Sequence, residues 1–267
     1  MELICPLCNQ PLIWDQRRYV CGANHSFDIA RQGYVNLLTV QEKHSLHPGD
    51  TREQVLSRRA FLESNAYAPI VETLINAAQK HHAHGPLLDV GCGEGYYSSR
   101  LADALDCQLI GMDISKEAVR CASAKYKQAA WICATASNIP VPDHSIGTIT
   151  SLFALTMPEE FRRCLRRDGL YLQVLAAEDH LMGLKSIIYP EIKHKPKNTV
   201  PDIPGFQLLE SIPIRFSLQL EGEQVQNILY MTPHVYRISK EGLDRLRSTE
   251  SLADTASCVL NVYQPIV

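Results

Sequence analysis

The chain has 267 residues, of which 45% are apolar and 21% charged, and carries a net charge of −3 at pH 7. That length suits one large α/β domain with an appendage, in the composition of a globular protein. No apolar run reaches the roughly 18 residues of a membrane span, no basic stretch and long apolar run open the chain, and the charge balance argues against gripping nucleic acid by whole-surface charge. The expected setting is the cytoplasm, with no membrane partner.

Residues 1–40 are rich in Cys and turn formers. Cys5 and Cys8 make a C-x2-C knuckle, and Cys21 and His25 follow twelve residues later as C-x3-H. Zinc prefers four tetrahedral sulfur and nitrogen ligands, which two such pairs supply. A segment of this size cannot build a core alone, so a metal gives it a reason to fold. With all four positions filled, the expected site is closed and structural. The bland alternative is four unrelated side chains, with His25 on the surface. Cys92, Cys107, Cys121, Cys133, Cys164 and Cys258 are scattered and read as buried thiols rather than disulfides.

Residues 41–50 have linker composition. Asp50 and Glu53 predict a capping box opening a helix to about Ala66. Pro69 suits the first turn of a second helix with Ile70, Leu74 and Ile75 on its apolar side. Strands are then expected at 87–90, 108–112, 130–134, 146–153 and 170–175. Between them stand a helix capped by Ser115, a short helix holding Phe161 and Leu165, and a turn at 167–169. A helix to about Tyr189, a strand over 206–220, two helical patterns and a strand near 259–263 complete the chain. Alternating strands and helices mean a parallel sheet covered on both faces.

After the first of these strands comes Asp89-Val90-Gly91-Cys92-Gly93-Glu94-Gly95. Glycines there let a ligand approach backbone N–H groups at a helix N-terminus. The third-glycine spacing of the dinucleotide fingerprint is missing, and the acid before the first glycine is the form found in methyltransferases. Asp113, ending the next strand, can accept hydrogen bonds from both ribose hydroxyls; alone it reads equally well as a helix cap. Ser137 and Asn138 follow the third strand, where adenine is usually met. The expected fold is a Rossmann-like class I S-adenosylmethionine (SAM)-dependent methyltransferase with an N-terminal zinc-binding module.

The chain resembles the bacterial 23S rRNA (guanine-N1)-methyltransferases nearly end to end. The resemblance is carried by Cys5-Pro6-Leu7-Cys8, by Tyr19-Val20-Cys21 with His25-Ser26-Phe27-Asp28, and by Gly33-Tyr34-Val35-Asn36-Leu37-Leu38. Pro48-Gly49-Asp50, Arg58-Arg59-Ala60-Phe61-Leu62, Tyr67, the loop 89–97, His180-Leu181-Met182 and Leu184-Lys185 continue it. It implies a zinc-binding RNA-recognition module over 1–40, a linker and helix over 41–66, and a methyltransferase domain over 67–267. It implies SAM and zinc as cofactors, with Tyr67, Gly93, Glu94 and His180 reaching SAM. Its substrate would be N1 of a guanine in a 23S rRNA hairpin, and a homodimer is an assembly to test. Taken alone, Tyr67 reads as an ordinary half-buried aromatic and His180 as a neighbour of a helix cap.

The sequence departs from the family after the fourth strand. Where the family resembles I-Y-A-P-C, this chain has Leu152-Phe153-Ala154-Leu155-Thr156-Met157-Pro158. Gly147 and Ser151 stand where Asp and Arg are usual, and Arg167-Asp168-Gly169 replaces P-G-G. These changes fall on the acceptor side. Two other readings therefore stand beside the first: a SAM methyltransferase acting on another RNA position or a small molecule, and an inactive RNA-binding relative. No general base is assigned. Thr156, Glu159 and Glu160 could meet the base, although acids in a helix first turn need no further reason. Candidate RNA contacts are Arg17, Arg18, Arg52, Arg58, Arg59, Trp14 and Tyr19, with a loop cluster of Lys193, Lys195 and Lys197. Residues 1–50 hold four basic and five acidic side chains, so the module must act through placed contacts rather than net charge.

Overall fold

The computed structural model describes residues 2–43, 48–192 and 196–266. Lys193 and Lys195 of the expected loop cluster, and positions 44–47 of the expected linker, lie outside the described residues.

The N-terminal module is a four-stranded antiparallel sheet of β1 (Leu3–Ile4), β2 (Pro11–Asp15), β3 (Arg18–Cys21) and β4 (Ser26–Asp28), joined in sequence order. The Gly33–Leu38 motif then does something its composition did not announce. Its β5 (Tyr34–Asn36) leaves the module and pairs in parallel with β8 (Ala130–Cys133), as the edge strand of the main sheet. The module is also tied down elsewhere: Ile4 N donates to Pro140 O at 3.0 Å. Leu3, Cys5, Leu12 and Cys21 share one apolar cluster with Val35, Leu37 and strand residues of the large domain.

Helix α1 (Arg52–Glu63) begins one residue later than expected. Thr51 is the cap and Gln54 its reciprocal partner, with Gln54 N donating to Thr51 Oγ1 at 3.3 Å and Thr51 N to Gln54 Oε1 at 2.7 Å. The expected cap, Asp50, is thereby free for another task. Helix α2 (Ala68–Lys80) buries Ile70 and Leu74, and Ile75 packs at the edge of that cluster.

The main sheet contains β6 (Leu87–Val90), β7 (Leu109–Asp113), β8, β9 (Ile146–Leu152), β10 (Leu165–Ala176), β11 (Phe206–Glu221) and β12 (Ser251–Pro265). Its order is β11-β12-β10-β9-β6-β7-β8-β5. All neighbours from β10 to β5 are parallel, while β12 runs antiparallel between β10 and β11. Helices α3 (Tyr96–Leu105), α4 (Lys116–Lys125), α5 (Pro158–Cys164) and α6 (Met182–Ile188) fill the crossovers. After β11 come α7 (Glu223–Asn227), two short 3₁₀ turns and α8 (Lys240–Arg247). The expected turn at 167–169 lies inside β10, as a register shift between Leu165 and Leu170. The last strand is three times its expected length, because both neighbours offer it a ladder. Edge strand β11 has a second irregularity between Leu208 and Glu210, and carries Pro213. Among the described residues, no helix is long and apolar enough to cross a membrane.

Strand order reverses direction at β6, whose partners are β7 on one side and β9 on the other. In open α/β sheets a ligand crevice opens beyond the carboxyl ends of the strands at such a point.

Candidate active site and metal centre

The ligand atoms of Cys5, Cys8, Cys21 and His25 all lie within 4.8 Å of one another. The turn after β1 brings the first pair together, with Asn9 N donating to Cys5 O at 2.8 Å; the end of β3 brings the second, with Cys21 N donating to His25 O at 3.1 Å. His25 Nδ1 is 3.4 Å from the sulfurs of both Cys5 and Cys21, and the Cys8 and Cys21 sulfurs are 3.6 Å apart. Tetrahedral zinc, with Zn–S about 2.3 Å and Zn–N about 2.0 Å, places its ligands roughly 3.5–3.8 Å apart. Donor chemistry and spacing both fit zinc.

A cavity of about 1630 Å³ opens where the switch point predicts. Its floor comes from the ends of successive parallel strands: the loop after β6, Asp113 as the last residue of β7, Ser137 after β8 and Phe153 after β9. Tyr67 and His180 also line it. Most small-ligand pockets hold about 300–1,000 Å³, so this one has room for a nucleoside cofactor and a second planar group.

The glycine loop is held to β7, with Gly91 N and Cys92 N both donating to Met112 O, at 2.8 and 3.0 Å. Gly91 has φ +82, and a Cβ there would stand 2.7 Å from that of Ala154 on the acceptor loop. Asp113 closes the floor: its Oδ2 accepts from Gly93 N at 2.9 Å and its Oδ1 from Ser115 N at 2.8 Å. Burial raises its pKa. Asp89 lies beneath the loop, accepting from Thr150 Oγ1 at 2.7 Å, and burial lifts it to about 6. Burial lifts Glu94 further, to about 7, against the opposing pull of Arg58.

Tyr67, the residue before α2, is buried between Phe61 and Phe216, whose rings meet it edge-on. His180 is set by β12. Leu181 N donates to Thr255 O at 3.0 Å, and Asp254 accepts from Gly183 N and Leu184 N at the start of α6. His180 Nδ1 accepts from Ser257 N at 3.1 Å, so the neutral ring carries its proton on Nε2. Burial holds its pKa down at about 4.

Eight of the ten expected cofactor residues line the cavity: Tyr67, Asp89, Gly91, Gly93, Glu94, Asp113, Ser137 and His180. Gly95 and Asn138 are not among the lining residues. Gly95 packs under Trp131, and the Asn138 amide donates to Glu42 Oε1 at 2.8 Å and to Pro6 O at 3.4 Å. Asn138 thus ties the module and the linker to the sheet.

Of the residues expected to meet the base, Thr156 and Glu160 are occupied elsewhere, and Glu159 is exposed and does not line the cavity. Thr156 bonds Tyr171 and Gln173 at 2.6 and 2.8 Å, and Glu160 accepts from Ile139 N and pairs with Arg163. The acceptor loop shows the cavity Phe153, Leu155 and Met157 instead. Arg58 lines the cavity, while Arg59 bonds Glu63 and Cys121. The two 3₁₀ turns, Ile228–Met231 and Pro233–Tyr236, supply lining residues that the sequence did not signal, because a roof assembled from a distant segment leaves no local motif.

The sheet order, the glycine loop with its strand-end acids and the Cys3His cluster define a class I SAM-dependent methyltransferase bearing a zinc ribbon. Comparison with known proteins agrees: the zinc ribbon family "RlmA, N-terminal" matches residues 3–46, and "Methyltransferase domain" matches 88–172. The 23S rRNA (guanine(748)-N(1))-methyltransferase of Streptomyces fradiae is 31% identical over 251 residues, covering 91% of this chain and 89% of that protein. A Micromonospora griseorubida protein, provisionally named 23S rRNA (guanine-N(1)-)-methyltransferase, is 36% identical over 204 residues, 68% of either chain. A solved geranyl diphosphate methyltransferase in complex with SAM is 13% identical, covering 82% of this chain and 92% of its own, with a TM-score of 0.48. The chain belongs to the 23S rRNA (guanine-N1)-methyltransferase family.

Proposed function

We propose that this enzyme transfers a methyl group from SAM to N1 of a guanine in a 23S rRNA hairpin. The observation that carries the reading is a single large cavity lined both by the strand-end carboxylates Asp89 and Asp113 and by the apolar Phe153 and Leu155 of the acceptor loop. Leu155 is 76% exposed in a loop that lines the site. An exposed apolar rim suits a flat base that has left its stack.

When bound, SAM supplies an activated methyl for in-line displacement. In this reading Asp113 accepts from the ribose hydroxyls, Ser137 lies near the adenine, and Tyr67, Glu94 and His180 surround the methionine end. Gly91, kept small by Ala154, lets the acceptor loop lie close to the cofactor loop, and such positioning supplies much of the rate. His180 cannot take the guanine N1 proton through Nδ1, whose lone pair Ser257 N already occupies, so it serves as a hydrogen-bond donor. Lys185, Lys197 and Arg237 at the cavity suit the phosphates on either side of a flipped nucleotide. The zinc ribbon offers Ile13 and Trp14, 69% and 62% exposed, beside Arg17 and Arg18, as a second surface for RNA.

Methylation at N1 blocks a Watson–Crick hydrogen bond and stops reverse transcriptase. Primer extension on rRNA from a deletion strain loses one such stop, and the wild-type gene restores it. The same stops with and without the gene reject this substrate.

A further inference from the structure

We propose that Arg58 anchors the carboxylate of the cofactor's methionine end, with Asp50 as the residue that positions it. The proposal rests on SAM occupying the cavity and is independent of which RNA is methylated.

Arg58 lies on α1, outside the Rossmann strands, and lines the cavity. One amino group of its guanidinium is committed: Nη2 donates to Asp50 Oδ2 at 2.7 Å and to Tyr230 O at 3.4 Å. Asp50 is fixed in turn, with its Oδ1 accepting from Tyr236 Oη at 3.1 Å and its main-chain O accepting from Ser115 Oγ at 2.7 Å. The rest of the guanidinium has no acceptor among the described residues. Nε is buried without a partner. Nη1 lies against the glycine loop, 3.8 Å from where a Cβ on Gly93 would stand. A buried donor left unmatched is costly, and a guanidinium held along one side is ready to receive an anion on the other.

The surrounding charges select that anion. Asp50, Glu94 and Asp113 stand around Arg58, whose guanidinium acts on both Glu94 and Asp113, while Lys185 and Lys197, also in the lining, act on His180 and, with Arg237, on His234. SAM carries a positive sulfonium, a positive ammonium and one carboxylate. Beside these carboxyl groups the two cationic groups settle near the acids, and the carboxylate is left for Arg58, the cation that lies against the glycine loop. A second negative ligand group would meet Glu94 or Asp113 at close range. The sequence places Arg58 in a run, Arg58-Arg59, that reads as an RNA-facing pair. The structure separates them, since Arg59 bonds Glu63 and Cys121.

The test measures binding alone, by calorimetry on the intact zinc-loaded protein, with S-adenosylhomocysteine and its decarboxylated analogue, which keeps the amine. The wild-type protein prefers the carboxylate-bearing ligand by about 10- to 100-fold. In Arg58→Gln that preference collapses, because affinity for S-adenosylhomocysteine falls while affinity for the analogue stays within about threefold. Asp50→Asn gives a smaller loss of the same kind, and Arg58→Lys keeps part of the preference. Equal weakening of both ligands in Arg58→Gln would show a purely structural arginine and overturn the proposal. So would a wild-type protein that does not distinguish the two ligands, an outcome that needs no variant to fold.

Discussion

The Tyr67 hydroxyl stands 3.5 Å from Nε2 of His180, across 113 positions of sequence. Neither residue sits on a Rossmann strand: one precedes α2 and the other precedes α6. Together they close the cavity from two directions, and Phe153 of the acceptor loop reaches the same imidazole, with ring centres 6.1 Å apart.

His180 gives the fold a pH dependence of known sign. Its pKa is about 4 in the folded chain and near 6.5 unfolded, so the unfolded chain binds the extra proton between those values. Its contribution is complete above pH 6.5 and is lost as pH falls toward 4, by up to about 3 kcal/mol. Asp89 and Glu94, raised to about 6 and about 7, act in the opposite sense, and their contribution is lost as pH rises through those values. Urea unfolding of the wild type and His180→Gln at several pH values isolates the histidine. The stability difference between the two proteins changes by a few kcal/mol over pH 4–6.5, and a difference that is flat with pH contradicts the buried neutral imidazole.

Zinc is expected at one ion per chain. Cys8→Ser releases it and melts the ribbon while the main sheet keeps its helices and strands. The chain has two tryptophans: Trp14 is exposed on β2 and Trp131 is buried in the core. The emission of Trp14 shifts in the variant and that of Trp131 holds. Full zinc content in Cys8→Ser would remove it from the ligand set.

Gly95 answers to packing. Its φ is +83, and a Cβ there would stand 2.4 Å from Cη2 of Trp131. Gly95→Ala therefore destabilises the chain by roughly 2–4 kcal/mol, from left-handed strain and overpacking together. Chemical denaturation measures the loss. SAM affinity of the folded protein is expected to change by less than about threefold, since Gly95 does not line the cavity. A large affinity loss at unchanged stability would return Gly95 to the cofactor.

Leu155 tests the acceptor side. Leu155→Asp puts a charge at the exposed rim without touching the core, so melting temperature and SAM affinity stay near wild type. Methylation of an rRNA fragment falls about 10- to 100-fold, through repulsion of phosphate and loss of an apolar contact. Unchanged methylation would move the nucleotide away from this loop.

Much of this was legible because its signals are local. The C-x2-C and C-x3-H pairs, the glycine loop and the acids at two strand ends each fit within a few residues of chain. What sequence reasoning missed is made of long-range partners. Arg58 reads as a surface base until Asp50, released from the capping role by Thr51, and Tyr230 are brought beside it. Asn138 follows β8 as a cofactor residue would, yet its amide is drawn toward Pro6 and Glu42 by the docking of the ribbon. The parallel strand within Gly33–Leu38 is only three residues long, too short to announce itself.

The two margins of the main sheet also bear on what this protein avoids. An open strand edge is a template on which any extended chain can pair, and long flat edges seed aggregation. Here one margin is β5, with three residues to offer. The other is β11, sixteen residues long but broken by the irregularity at Leu208–Glu210 and by Pro213, which has no N–H to donate. Near that break Glu210 is clamped by Lys80 and His81 at 2.6 and 2.7 Å. Continuous strand-to-strand growth into fibres is thereby blunted at both ends of the sheet.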